Sequence, residues 1–136
     1  MSSWMTVSVL AAAAAWALLR SRAELKPYRE RSCTGAAWRR AFPSASKEDI
    51  RGYLRCFVEG MALPSRYALK FHPSDRVLEV YRALYGGRTP LGDHMECETF
   101  LEEVGFEFDV ARDDLMEAWH PHITLGELFA HATVDP

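Results

Sequence analysis

The sequence predicts an all-α fold: a single N-terminal transmembrane helix followed by a small bundle of four to five helices. Three observations lead there. The first nineteen residues, MSSWMTVSVLAAAAAWALL, hold no Lys, Arg, Asp or Glu. Three later segments, near 50–61, 77–85 and 93–104, repeat apolar residues at the i, i+3, i+4 spacing of one helix face. Alternation of apolar and polar residues, the mark of a half-buried strand, is confined to 106–110. With 136 residues there is room for one domain and an appendage. The chain divides into an anchor over 1–19, a basic juxtamembrane connector over 20–45 and a helical domain over 46–136.

At 1.5 Å per residue the leader spans about 28 Å as a helix, close to the ~30 Å of a hydrocarbon core. Trp4 and Trp16 stand near its ends, where interfacial aromatics anchor a span. Ser2, Ser3, Thr6 and Ser8 dilute its apolar content. A cleaved secretory signal would carry positive charge before the apolar run. Here Arg20, Arg22, Lys26, Arg29 and Arg31 follow it instead. The positive-inside tendency then places the helical domain on the cytoplasmic face of the inner (cytoplasmic) membrane, behind one uncleaved pass.

Net charge is −3 and the isoelectric point is near 5.9, which speaks against a general nucleic-acid binder. The balance is uneven along the chain. From Arg20 to Arg55 there are ten Lys/Arg and four Asp/Glu, whereas from Asp93 to Glu117 there are ten Asp/Glu and one Arg. An acidic surface meeting a basic protein partner is one reading of the second stretch, and a solvated helix face is the other. Cys33, Cys56 and Cys97 are odd in number and form no C-x-x-C pair, so neither a disulfide framework nor a zinc pattern is present.

Each helix carries its own start and stop signals. Ser46, with Asp49 three residues later, caps a helix whose apolar face is Ile50, Tyr53, Leu54, Phe57, Val58 and Met61. Ser74 is the expected cap of a second, with Val77, Leu78, Tyr81, Leu84 and Tyr85 inside and Gly86-Gly87 as its stop. Asp93 is the expected cap of a third. Its buried stripe is Cys97, Phe100, Leu101 and Val104, its outer residues are Glu96, Glu98, Glu102 and Glu103, and Gly105 ends it. After 106–110, an extended connector or a very short strand, 113–119 reads as a short helical turn. Thr124 and Glu127 make a second capping box before Leu125, Leu128 and Phe129. Within the connector, Trp38 fits either a phospholipid surface beside Arg39 and Arg40 or packing against the domain.

Glu102-Glu103-Val104-Gly105-Phe106-Glu107-Phe108 and Ile123-Thr124-Leu125-Gly126-Glu127-Leu128 resemble the exit of helix II and the start of the last helix in acyl carrier proteins. The resemblance covers about 46–132, mainly 92–132, with the helix near 50–61 standing for helix I. It implies a carrier-like bundle in which helix II is the recognition surface. The family's phosphopantetheine is esterified to the Ser of Asp-Ser-Leu. Aligned on Asp93-His94-Met95, that place is taken by His94; counted without a gap from Gly105, it is taken by Pro90, beside Thr89. No cofactor is therefore expected. The additional helix near 75–85 departs from the family pattern.

No nucleotide-loop, nucleophile-elbow or H-E-x-x-H spacing occurs. His120-Pro121-His122, with Asp113, Asp114 and Glu117 nearby, could place two imidazoles near one ion, but a metal site needs three or four convergent ligands and no metal-binding spacing is present. The other reading is that His120 and His122 cap a turn before the last helix. Cys97 three residues after His94 is a nominal nucleophile–base pair, but a thiol on an apolar stripe lacks the electropositive setting reactivity needs. The sequence thus predicts a binding domain, not an enzyme, whose contacts with a basic partner are Glu96, Glu98, Glu102 and Glu103, with no metal, nucleic acid or small-molecule substrate. The alternatives are a carrier modified at a non-standard site such as Thr89, and a small metal-dependent enzyme using His94, His120 or His122.

Overall fold

A computed structural model describes residues 2–85 and 95–133, with side chains described over 5–16, 25–84 and 96–133. The order is α1 (Ser2–Arg29), α2 (Gly35–Ala41), α3 (Lys47–Gly60), a 3₁₀ segment (Ser65–Lys70), α4 (Val77–Tyr85), α5 (Met95–Phe108), α6 (Arg112–Ala118) and α7 (Leu125–Thr133). Among the described residues there is no strand; one isolated antiparallel bridge joins Arg76 to Thr124.

The all-α expectation holds, and the membrane anchor does not. Among the described residues no helix is long and apolar enough to cross a membrane. Helix α1 has the length, at 28 residues, but its run is alanine diluted by Ser2, Ser3, Thr6 and Ser8. Residues with strong insertion energies, about −0.3 to −0.6 kcal/mol each, are few in it: Val7, Val9, Leu10, Leu18 and Leu19. Nor does the helix stop at residue 19, since it continues through Arg20, Arg22, Glu24 and Lys26 to Arg29. The ground for placing the domain on one side of a bilayer goes with the anchor.

The basic connector is part of the packed domain. Trp38 of α2 is fully buried, donates its indole N–H to the Phe71 carbonyl at 2.8 Å and sits edge-on to Phe129 and Tyr53. Thr34 donates its hydroxyl to the same carbonyl at 2.8 Å. Arg31 grips Asp75 with both guanidinium arms, at 2.6 and 2.9 Å, tying the end of α1 to the start of α4. The alternative that put Trp38 against the domain is therefore the one realised.

The predicted apolar face of α3 is buried at all six positions, and the Ser46 hydroxyl accepts from Asp49 N–H at 3.1 Å. The capping box of α7 is reciprocal: Glu127 N–H donates to the Thr124 hydroxyl and Thr124 N–H to the Glu127 carboxylate. Helix α4 starts differently from expectation. Its first N–H, Val77, donates to the Ile123 carbonyl, and Leu125 N–H returns a bond to the Asp75 carbonyl. The lead-ins to α4 and α7 thus satisfy each other, and the Ser74 hydroxyl bonds His72 instead. Gly126 permits that closeness, because a Cβ there would lie 2.9 Å from the Pro73 carbonyl oxygen.

Helix α5 runs through Gly105 to Phe108, so 106–108 of the expected extended connector are corrected to helix. The stop is Asp109, which takes the left-handed conformation (φ 54°) while Val110 N–H closes back onto the Gly105 carbonyl at 2.9 Å. Gly105 serves this reversal: a Cβ there would stand 2.7 Å from the Val110 oxygen. Ala62 ends α3 in the same way, at φ 56° with Leu63 N–H on the Val58 carbonyl.

Candidate functional site

Helices α3 and α5 pack antiparallel as the centre of the bundle. Gly60 lies directly against the Phe100 backbone, which lets the helices approach closely there, while Gly52 faces the Glu107 carboxylate. Phe100 fills the interior against Phe57 and Tyr53, with ring centroids 5.2 and 5.8 Å apart. The Tyr53 hydroxyl donates to the Leu125 carbonyl at 2.7 Å and fixes α7 to this pair. On the outer side the same two helices enclose a cleft of about 420 Å³, lined by Arg55, Cys56 and Glu59 of α3 and Thr99, Glu102, Glu103, Phe106 and Glu107 of α5.

The four glutamates named from the sequence do not form one face. At 100° per residue, Glu98 and Glu102 lie on one flank of α5 and Glu96 and Glu103 on the other. Arg112 of α6 reaches the first flank, bonding Glu102 at 3.0 Å and approaching Glu98 at 3.8 Å. The second flank faces α3. There Glu107 pairs with Arg55 at 3.2 Å, while the Glu103 carboxyl is held above its ordinary pKa by burial and by nearby Glu59. One Glu103 oxygen, Oε2, is buried with no hydrogen-bond partner among the described residues. Between the flanks Phe106 is 89 % exposed, the most exposed large apolar side chain among the described residues.

Sequence reasoning missed Arg55, Glu59, Phe106 and Glu107 as members of this site. For Phe106 the signal was present: continued at 100° per residue through Gly105, it falls about 180° from Cys97, on the side away from the core. For Glu59 and Arg55 no local signal exists, because α3 brings them from forty or more positions away in sequence.

The other candidates are placed as follows. Thr89, Pro90, Asp93 and His94 lie outside the described residues. Cys97 is buried and its thiol is pushed up to about 12, by burial and then by Glu96 and Glu98. Cys56 is pushed up to about 11, by burial and then by Glu107 and Glu103. Neither is a thiolate near neutral pH. His120 accepts at Nδ1 from His122 N–H and directs Nε2 at Glu127 3.2 Å away, so it extends the capping box of α7. Asp113, Asp114 and Glu117 are exposed on α6. Among the described residues no three His, Cys, Asp or Glu side chains converge on a point that could hold an ion.

Compared with protein-family models, curated proteins and solved structures, the chain matches none.

Proposed function

We propose that this chain is a protein-interaction domain that docks a basic partner segment in the α3–α5 cleft. The observation that carries the reading is Phe106: an aromatic ring exposed on a helix, bordered by Glu102, Glu103, Glu107 and Glu59, with Arg55 the one cation lining the cleft among the described residues. A ring in such a setting offers an apolar anchor and a face for cation–π contact with Lys or Arg, while the carboxylates steer positive charge toward it. Glu103 adds a carboxylate whose unpartnered oxygen a Lys or Arg donor would satisfy.

The carrier-like reading belongs to the same proposal. A long α3, an acidic α5, a short α6 and a last helix opened by Thr124 follow the order that the resemblance implies, with α4 as an addition. Here the recognition helix acts by its surface and carries no prosthetic group.

Fluorescence anisotropy with a labelled Lys/Arg-rich amphipathic helical peptide tests the proposal, with an acidic peptide of the same apolar residues as control. The wild type should bind the basic peptide in a salt-sensitive manner, and Phe106→Ala should weaken it about tenfold or more, the loss expected of a binding hot spot. Equal affinity of wild type and Phe106→Ala would remove the cleft from consideration.

A further inference from the structure

A second cleft lies on the other side of the molecule's charge balance. Cys33 and Gly35 at the start of α2, Arg39 in its last turn, Lys47, Ile50 and Arg51 in the first two turns of α3, and Leu69 of the 3₁₀ segment enclose about 220 Å³. Its walls are fixed by the bonds that bury Thr34: the hydroxyl donates to the Leu69 and Phe71 carbonyls, and the backbone N–H also meets Leu69. The floor is apolar, made by buried Ile50 and half-buried Leu69.

The charges of this cleft are unusual. Lys47 and Arg51 are four residues apart on one helix, a like-charge spacing that destabilises the helix, and α2 adds Arg39 to the same opening. No Asp or Glu lines the cleft, and none of these three cations forms an ion pair with a described residue. Glu48 and Asp49 stand exposed in the first turn of α3, outside the lining. Arg39, Lys47 and Arg51 are the side chains that an anion would bring to balance. The first turn of a 14-residue helix adds its positive end beside them.

We propose that this cleft binds a small phosphate monoester, its phosphate held among Arg39, Lys47 and Arg51 and its organic part lying on Ile50 and Leu69. Two guanidinium forks and an ammonium suit a compact dianion better than a monoanionic carboxylate, because each fork can take two oxygens of one phosphate. The modest volume selects a ligand the size of a phosphorylated small ring or short chain, below the ~300 Å³ usual for larger ligand pockets. The site does not depend on the α3–α5 cleft.

Cys33 supplies the assay. It is the exposed cysteine of this cleft, whereas Cys56 and Cys97 are buried. Alkylation of the intact chain by the neutral reagent iodoacetamide, mapped to Cys33 by peptide mass, is followed at constant pH and ionic strength. Phenyl phosphate should protect Cys33 saturably; a site of about millimolar affinity slows labelling about tenfold at about 10 mM. Phenol and benzoate should protect little, and inorganic phosphate less than phenyl phosphate. In the variant Arg39→Gln/Lys47→Gln/Arg51→Gln, protection should vanish. The single exposed-site variants Arg39→Gln and Arg51→Gln serve if the triple variant does not unfold cooperatively. No protection, or protection that persists without the three cations, overturns the proposal. Equal protection by benzoate overturns the dianion preference, and equal protection by inorganic phosphate overturns the contact with Ile50 and Leu69.

Discussion

Glycine to alanine in a helix ordinarily stabilises a protein by roughly 0.5–1 kcal/mol, since Gly loses more backbone entropy on folding. At Gly60 the sign should reverse. A Cβ built there would lie 2.8 Å from the Cα of Phe100, 2.9 Å from its Cβ and 3.0 Å from its backbone nitrogen. All three belong to the α5 backbone or its first side-chain atom, so no rotamer change relieves the clash. Restoring the 3.4 Å of ordinary contact from 2.8 Å requires α5 to withdraw by about 0.6 Å. Phe100 would then loosen from Phe57 and Tyr53, the aromatic centre of the bundle. Overpacking of this kind costs about 1–3 kcal/mol, which leaves a net loss centred on about 1 kcal/mol and reaching roughly 2.5 kcal/mol after the propensity gain.

Gly52→Ala is the matched control. The new Cβ would meet the Glu107 carboxylate at 3.0 Å, the far end of a flexible side chain that can swing away. That substitution should be neutral or stabilising by up to about 0.5 kcal/mol, the reduced propensity gain. Urea denaturation followed by far-UV circular dichroism reads both variants, with unchanged m-values showing that the stability itself moved. Gly60→Ala as stable as wild type, or less damaging than Gly52→Ala, would refute the packing geometry at the α3–α5 crossing.

Tyr53→Phe should cost about 1–2 kcal/mol in the same assay, because it strands the buried Leu125 carbonyl that the hydroxyl now satisfies. Ala62→Gly should gain roughly 0.5–1 kcal/mol, since the left-handed conformation at φ 56° strains any Cβ there by more than glycine's added chain entropy offsets. Glu103 should make stability fall as pH rises. Its folded pKa is raised above 4.5, so the penalty is absent below 4.5, where both states are protonated, and complete above the raised value. Glu103→Gln should flatten that part of a pH–melting-temperature profile and raise stability at neutral pH. Arg112→Ala should change stability by less than about 1 kcal/mol, its ion pairs being exposed, yet strengthen binding of the basic peptide by roughly twofold to fivefold.

Much of this fold can be read from local pattern because local chemistry decides it. The Ser46 cap, the apolar face of α3 and the Thr124–Glu127 capping box need only residues within one helix, and all are realised. The features that escape are those in which a distant segment supplies the partner. Ser74 reads as a cap, but Ile123 satisfies the first N–H of α4. The basic run after residue 20 reads as a membrane flank, but Arg31 closes on Asp75 and Trp38 on Phe71. Gly105 reads as a helix stop because glycine commonly is one. Its lack of a side chain serves instead to admit the returning Val110, and Asp109 takes the left-handed turn.

That misplaced stop also hid the asymmetry of the acidic helix. With α5 ended at Gly105, Glu107 is loop and Phe106 an alternating connector residue, leaving four glutamates that look equivalent. With α5 continued to Phe108, Glu103 and Glu107 become i, i+4 neighbours on the flank that faces α3. The reversal at Asp109 then swings α6 to the opposite flank, where Arg112 takes up Glu98 and Glu102. The one Arg of the acidic stretch therefore offsets charge on one side only. On the α3 side Glu103 faces Glu59 across the cleft, and Arg55 is drawn to Glu107 at its far end. Glu59 and Glu103 are thereby left as the carboxylates beside Phe106, and in the proposed docking one backbone turn at Asp109, and not the glutamate count, sets which side of α5 meets the basic segment.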